Sequence, residues 1–524
     1  MRNLLLIRLI LALLQTSSLH RRIHREFHPE DNVQNSRPHP TPINMRDQHR
    51  SSHWKFGFVT ALLSVLFLYS SCQSPASVAP EAVQTHITEA DLETAIIYEV
   101  NIRQYSPEGT FEAFTRDIPR LKELGIRILW LMPIHPISEA KRKGTLGSYY
   151  AVQDYGKINP EFGNLEDFRQ LVSTAHDNDM FVILDWVANH TGWDHPWIEE
   201  HPEYYTKNAD GEISDPLDPA TGESWGWTDV ADLDFDNEEM REKMIEEMLY
   251  WVKEENVDGF RCDVAHQVPV DFWEEATDRL RAEKPIFMLA EAEEPELLEK
   301  AFDMQYAWEG HHLLNDIARG DKNVTHLREY LDKQDEILED DDILMNFTSN
   351  HDENTWSGTV FERMGDAAEV MAVTTYMLPG MPLIYNGQEW DLDHRLRFFE
   401  KDTIPMQTRG QFYPLYERLG KLKIEHPALN GGKRAAGSVV VPTSEEEAVF
   451  VLVRKKEGRR LVFLVNYSDD IVDFMIDWTG LDADLRQSLM DTPFIDYFSD
   501  EEVSFSPETS FVMEPREYWV LVDN

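Results

Sequence analysis

Cysteine is almost missing from this chain: of 524 residues only Cys72 and Cys262 carry a thiol. A disulfide framework is not expected on that count, and the fold has to stand on a buried apolar core. Basic residues are scarce as well, 49 Lys and Arg against 96 Asp and Glu, for a net charge of −47. So acidic a surface repels phosphate, which argues against nucleic acid as a partner and disfavours anionic membrane surfaces. Salt screens the self-repulsion, so the same surplus suits solubility in a saline habitat. The runs EILEDDD and TSEEEA read as solvated surface rather than metal sites. Internal repeats and long low-complexity tracts are lacking after about residue 73.

The longest apolar stretches lie before that point. WKFGFVTALLSVLFLYSSCQS, from Trp54, is flanked by Arg46, Arg50 and Lys55 and ends in small residues at Cys72. That is a secretory signal layout, somewhat short for a membrane span. It resembles a bacterial lipoprotein signal with Cys72 lipidated, although Tyr69 stands where a leucine is usual; a plain cleaved signal or a signal anchor is the alternative. The expectation is export and lipid anchoring at the cell envelope, in the periplasm or on the surface. Residues 1–44, with a second apolar run and a Pro/His/Arg-rich stretch, read as sequence upstream of a true start at Met45.

Four short strings hold the chemistry, in one order: DWVANH (Asp185 to His190), GFRCD (Gly259 to Asp263), LAEAE (Leu289 to Glu293) and FTSNHDE (Phe347 to Glu353). Each follows or lies within a strand-forming run and ends in carboxylates or histidines, as at the C-terminal mouth of a parallel barrel. In GFRCD the strand period of two puts Arg261 and Asp263 on one face, where the arginine is expected to keep the carboxylate ionised. Glu291 ends the apolar run IFMLA, where desolvation is expected to keep its proton on. Two carboxyls pushed in opposite directions suit glycosidic cleavage through a covalent intermediate. Asp352, after His351, is placed to hold sugar hydroxyls. Any one of these residues alone reads more readily as a cap or a structural ion pair. By the same alternation Cys262 faces away from the mouth and packs.

Together the four strings resemble the signature regions of the α-amylase superfamily, glycoside hydrolase family 13, on the third, fourth, fifth and seventh strands of a (β/α)8 barrel. The resemblance runs from about Ala95 to the C-terminus. It implies Asp263 as nucleophile, Glu291 as acid/base and Asp352 as transition-state stabiliser, with Arg261, His190 and His351 orienting sugar or carboxylate and Asp185 structural. GSYYAVQDYGKINPEFG resembles the family segment whose tyrosine stacks on the sugar being cleaved; Tyr150 is the matching position, with Tyr149 beside it as the alternative. VADLDFDN resembles the fifth region, where Asp232, with Asn189, matches positions that bind a structural calcium. The chain departs from the family at DVAHQ: His266 and Gln267 replace a common Lys-His pair, so calcium is allowed rather than required. The implied activity is a retaining hydrolase of α-1,4-glucans or malto-oligosaccharides. A transglycosylase using the same intermediate, and a non-catalytic surface glycan-binding lipoprotein, are the alternatives. Linkage, chain-length preference and oligomeric state are not written in these motifs.

Alternating strand and helix patterns agree with an α/β fold. AIIYEVNIRQYS reads as the first strand, FTRDIPRLKELG as a helix stopped by Gly125, RILWLMPIHPI as the second strand, and LEDFRQLVSTAHDND and NEEMREKMIEEMLYWVKEENV as helices. ILMNFTSN and MPLIYNGQEW read as the last two strands. The expected organisation is a signal region over 1–72, a linker over 73–90, a (β/α)8 TIM barrel over 91–430, a short domain B insert over 191–235, and a C-terminal antiparallel β-sandwich over 436–524. Trp193, Trp197, Trp225 and Trp227 in the insert are expected either to stack on sugars or to form the insert's small core.

Overall fold

The computed structural model describes residues 86–218, 221–405 and 410–523. The signal region, Met45, Cys72 and the linker up to residue 85 lie outside the described residues. The chain divides at Ala79–Pro80, and everything below belongs to the second unit.

Eight parallel strands close into a barrel: β1 (Ile97–Val100), β2 (Ile128–Leu131), β3 (Phe181–Trp186), β6 (Gly259–Cys262), β7 (Phe287–Ala290), β8 (Met304–Tyr306), β9 (Ile343–Asn346) and β10 (Met381–Tyr385). The two intervening strands, β4 (His190–Gly192) and β5 (Val230–Asp232), pair antiparallel and clasp the insert that follows β3. Alternation divides the barrel strands between two cores. Ile97, Trp130, Ile183, Leu289, Met304, Met345 and Leu383 fill the interior, while Tyr98, Leu131, Leu184, Cys262, Met288 and Ile384 face the helices. A parallel barrel buries both faces of each strand, which is why the runs read as almost continuously apolar.

The helix Leu165–Asp177 starts at Asn164, whose side chain caps the amides of Glu166 and Asp167. Glu238–Lys253 starts in the same way at Asn237 and buries Met240, Met244, Ile245, Met248 and Trp251, an i, i+4 stripe turned to the barrel. FTRDIPRLKELG is not one helix. It takes in the last two residues of the helix Phe111–Thr115, then Ile118–Leu121 and a 3₁₀ turn Lys122–Leu124, because Pro119 lacks an amide proton and its ring clashes with the preceding turn; Gly125 at φ 75° ends it as expected. The first strand is also shorter than AIIYEVNIRQYS suggests, since Asn101 caps a helical turn at Ile102–Tyr105. β8 has three residues and no periodicity that the sequence could reveal.

The C-terminal region has two antiparallel sheets. One has the order β11 (Gly437–Val440), β12 (Val449–Lys456), β13 (Arg459–Asn466), β18 (Tyr518–Asp523), β15 (Phe494–Asp496), β16 (Glu502–Val503). The other pairs β14 (Val472–Met475) with β17 (Ser510–Met513). Val451, Val453, Leu464, Phe474, Phe511 and Met513 pack between them. The β12–β13 hairpin turns through Glu457 and Gly458, both at positive φ, the two-residue geometry that matches strand twist.

Candidate active site

The inward face of the barrel changes character toward its C-terminal end, where Glu99, Asp185 and Arg261 replace the apolar layer below. Asp185 and Arg261 are direct neighbours in the β3–β6 register. On its other side β6 lies close against β7 at Gly259, where a Cβ would lie 1.8 Å from the carbonyl oxygen of Phe287.

Arg261 is fully buried and is the hub of the site. Its Nη1 donates to Asp185 Oδ1 at 2.7 Å and to Asp263 Oδ1 at 2.9 Å, and its Nε donates to Tyr306 OH at 3.1 Å. Its Nη2 lies 2.8 Å from Glu291 Oε2. Trp130 lies beneath the guanidinium at 5.1 Å. Glu291 therefore sits against a cation rather than in a purely apolar pocket, and it also accepts the Val264 amide at 2.7 Å. Val264 reaches that position at φ 38°, in the left-handed region that a β-branched residue rarely enters, so strain immediately after Asp263 aims an N–H at Glu291. His266 and Gln267 lie in the short turn that follows.

Asp263 departs from expectation. Burial pushes its carboxyl well up, Arg261 pulls it down, and Glu291 and Asp185 push it up again. The sequence pairs one arginine with one aspartate, whereas the fold divides that single charge among three carboxyls. Burial likewise raises Asp185 despite Arg261 and His351.

A second chain of contacts crosses the mouth from β1. Glu99 Oε1 lies 2.6 Å from His351 Nδ1, and His351 Nε2 lies 2.8 Å from Tyr150 OH. Tyr150 OH donates to Asp185 Oδ2 at 3.0 Å, which joins this chain to the Arg261 hub. Asp352 Oδ2 is 3.3 Å from His351 Nε2, with its side chain 38% exposed, so it faces the cleft while its neighbours are buried. Burial alone would lower the His351 pKa, but Asp352 and Glu99 raise it to about 9. His190 is the opposite case, lowered by burial to about 4 although Asp229 opposes this. The two histidines, indistinguishable in sequence, are a cation and a neutral ring at pH 7.

The two tyrosines separate in the same way. Tyr150 stacks on His351 with centroids 5.4 Å apart, at the carboxylates, whereas Tyr149 packs on the Arg103 guanidinium. Of the tryptophans, Trp197 packs with His195 and Tyr204 of the insert and with Tyr155 before it, as part of the core that covers the barrel rather than a separate core of the insert. Trp225 and Trp227 stack on each other, with Trp227 5.9 Å from the His190 ring, and Lys141 lies over Trp193. Asn189 and Asp232 come together across the clasp: Asn189 Nδ2 is 3.3 Å from His190 Nδ1, and Asp232 pairs with His190 in register. Burial raises Asp232 to about 6. Among the described residues no three acidic, histidine or cysteine side chains gather as a metal cage. Two donors fall short of the six to eight oxygens that calcium takes, so backbone and water would have to supply the rest.

Glu99, Trp130 and Tyr306 are site residues that motif reading passed over. Glu99 had a usable signal, a lone carboxylate at an inward position of the apolar run IIYEV.

A closed parallel barrel whose mouth holds three carboxyls around one buried arginine defines a (β/α)8 enzyme of the carbohydrate-cleaving type. The chain belongs to the alpha-amylase family, whose catalytic-domain model matches residues 80–411. It is similar to a noncanonic maltogenic alpha-amylase from Thermotoga neapolitana, at 29% identity and a TM-score of 0.74 over 83% of this chain and 99% of that one. It is 27% identical to an alpha-amylase of Haloarcula japonica over 57% of this chain and 44% of that protein. An alpha-1,4-glucan:maltose-1-phosphate maltosyltransferase of Cereibacter sphaeroides is 34% identical over 39% of this chain and 37% of its own length. The matched segments thus span under half of each of these last two relatives.

Proposed function

We propose that the protein is a retaining glycosidase acting on α-1,4-glucans or malto-oligosaccharides, with Asp263 as nucleophile, Glu291 as general acid and base, and Asp352 as stabiliser. The observation that carries this is the sharing of one guanidinium by Asp263 and Glu291, at 2.9 and 2.8 Å. Such closeness favours the roughly 5 Å carboxyl spacing of retaining enzymes over the wider gap that holds a water in inverting ones. Asp263 attacks the anomeric carbon as the glycosidic C–O bond breaks, and Glu291 gives its proton to the departing oxygen. Water then gives a proton back to Glu291 and attacks the same carbon, freeing Asp263. His351, a cation held by Glu99, and Asp352 bind sugar hydroxyls as positive charge develops on the ring.

Incubation with maltoheptaose and chromatography of the products tests this. Shorter maltooligosaccharides or glucose are expected, and an unchanged substrate would defeat the reading. Transfer to a second sugar is the competing outcome, favoured by the similarity to a maltosyltransferase; it is recognised by products longer than the substrate. A glycan-binding role without catalysis would not need all three carboxyls gathered at the mouth. Export with a lipid on Cys72 belongs to the same proposal and rests on the sequence alone; palmitate labelling abolished by Cys72→Ala checks it.

Glu99→Gln supplies a pH test. His351 is faced by Glu99, Asp352, Asp185, Arg261 and the Tyr150 hydroxyl, and Glu99 is one of the two groups that raise it. Loss of Glu99 lowers the folded-state pKa from about 9 toward 6.5. The alkaline limb of kcat/KM is then expected to move down by about one unit or more. Because the folded value is raised, the stability that this proton contributes is complete below pH 6.5 and is lost as pH rises through about 9. The variant should therefore have a lower Tm mainly below that range. An unshifted limb would show that Glu99 does not control His351.

A further inference from the structure

We propose that Trp356, Phe398 and Phe399 form a built platform for a further pyranose unit of the same glucan chain, beyond the ring that Tyr150 receives. This rests on the glucan reading above and extends it. Trp356 is 49% exposed, the most exposed aromatic side chain among the described residues, although large apolar side chains near a cleft normally bury themselves. Its neighbours form a continuous aromatic surface leading from the carboxylates. Tyr150 and Phe398 are nearly parallel, with centroids 6.2 Å apart at 10°. Phe398 meets Trp356 at 5.4 Å, and Trp356 meets Phe399 at 6.0 Å.

This exposure is held in place by specific contacts. Trp356 rides on a π-helical turn, Glu353–Ser357, that begins right after Asp352; such turns are rare and recur at functional sites. The turn is stitched to the loop that carries Phe398 and Phe399. Asn354 Nδ2 donates to His394 O at 3.1 Å, Asn354 Oδ1 accepts the Leu396 amide at 2.9 Å, and Thr355 Oγ1 donates to Leu396 O at 3.1 Å. From the other side Gln104 Nε2 donates to the carbonyls of Arg397 and Glu400 at 2.8 Å each. Two segments from separate parts of the chain are thus locked so that three rings stay together at the cleft. Flat aromatic faces ordered in advance, exposed at Trp356 and half-buried at Phe398 and Phe399, suit the apolar C–H face of a pyranose.

Trp356→Ala and Trp356→Phe, assayed on maltoheptaose and on the shortest oligosaccharide that the wild type cleaves, test the platform. Trp356→Ala is expected to lower kcat/KM about tenfold on maltoheptaose, through KM, with a change under about twofold on the short substrate. Trp356→Phe should restore most of the loss. Equal losses on both substrates, or none on either, overturn the platform. Titration of maltoheptaose into Asp263→Asn protein, with and without Trp356→Ala, reads binding apart from turnover; affinity unchanged by Trp356→Ala overturns it too. A wild type that neither cleaves nor binds any α-glucan defeats the glucan reading, and the platform with it. A wild type that cleaves while Trp356→Ala behaves identically defeats the platform alone.

Discussion

Asp263→Asn is expected to lower kcat by about 10⁴ or more, while the protein stays folded and its Tm holds or rises. The loss follows from the proposed covalent step: an amide cannot supply the electron pair that bonds to the anomeric carbon, and 10⁴ corresponds to about 5.5 kcal/mol of barrier. The fold should survive because asparagine is isosteric and its Oδ1 can still accept from Arg261 Nη1, while the backbone amide of residue 263 keeps its bond to Trp186 O at 2.9 Å. Stability holds or rises because burial and the charges of Glu291 and Asp185 already act against an ionised group there. Removing that group relieves repulsion, the trade between stability and activity expected of a catalytic carboxylate. Full turnover by this variant would falsify the mechanism.

Glu291→Gln is expected to lower kcat on maltooligosaccharides by about 10² to 10⁴, the usual contribution of a positioned acid and base. Glutamine keeps an oxygen for the Val264 amide at 2.7 Å and for Arg261, so the site should hold its shape. What it lacks is a proton to give to the leaving oxygen. An α-glycosyl fluoride needs no such proton, and with it the loss in the first step should shrink by at least about tenfold. An equal loss on both substrates would mean that the substitution damages the site as a whole.

Much of the site was legible because strand geometry is local. A period of two puts Arg261 and Asp263 on one face whatever surrounds them, and the four strings end strands β3, β6, β7 and β9 as the motif reading expected. The barrel's last two strands were legible for the same reason, their apolar runs being four or five residues long and bounded by polar ones. Β8 was not, since three residues carry no pattern, and neither was the break at Pro119, where helical periodicity hid a residue that cannot donate a hydrogen bond. The aromatic platform was hidden more deeply, because Trp356 and Phe398 are 42 residues apart in sequence and meet only through their shared loop contacts.

The sequence by itself determined the order of the strands' chemical groups, the pairing of an arginine with a carboxylate on β6, and the alternation that turns Cys262 toward the packed helices. Those follow from backbone periodicity, which needs no partner. Only the tertiary structure decided how charge is distributed. Closing the barrel brought Asp185, Asp263 and Glu291 to one guanidinium, so that Asp263 is raised rather than lowered, and it brought Glu99 from β1 to His351, whereas at His190 burial outweighs Asp229. Protonation in a buried site depends on every charge within a few ångströms, and most of those charges come from distant parts of the chain.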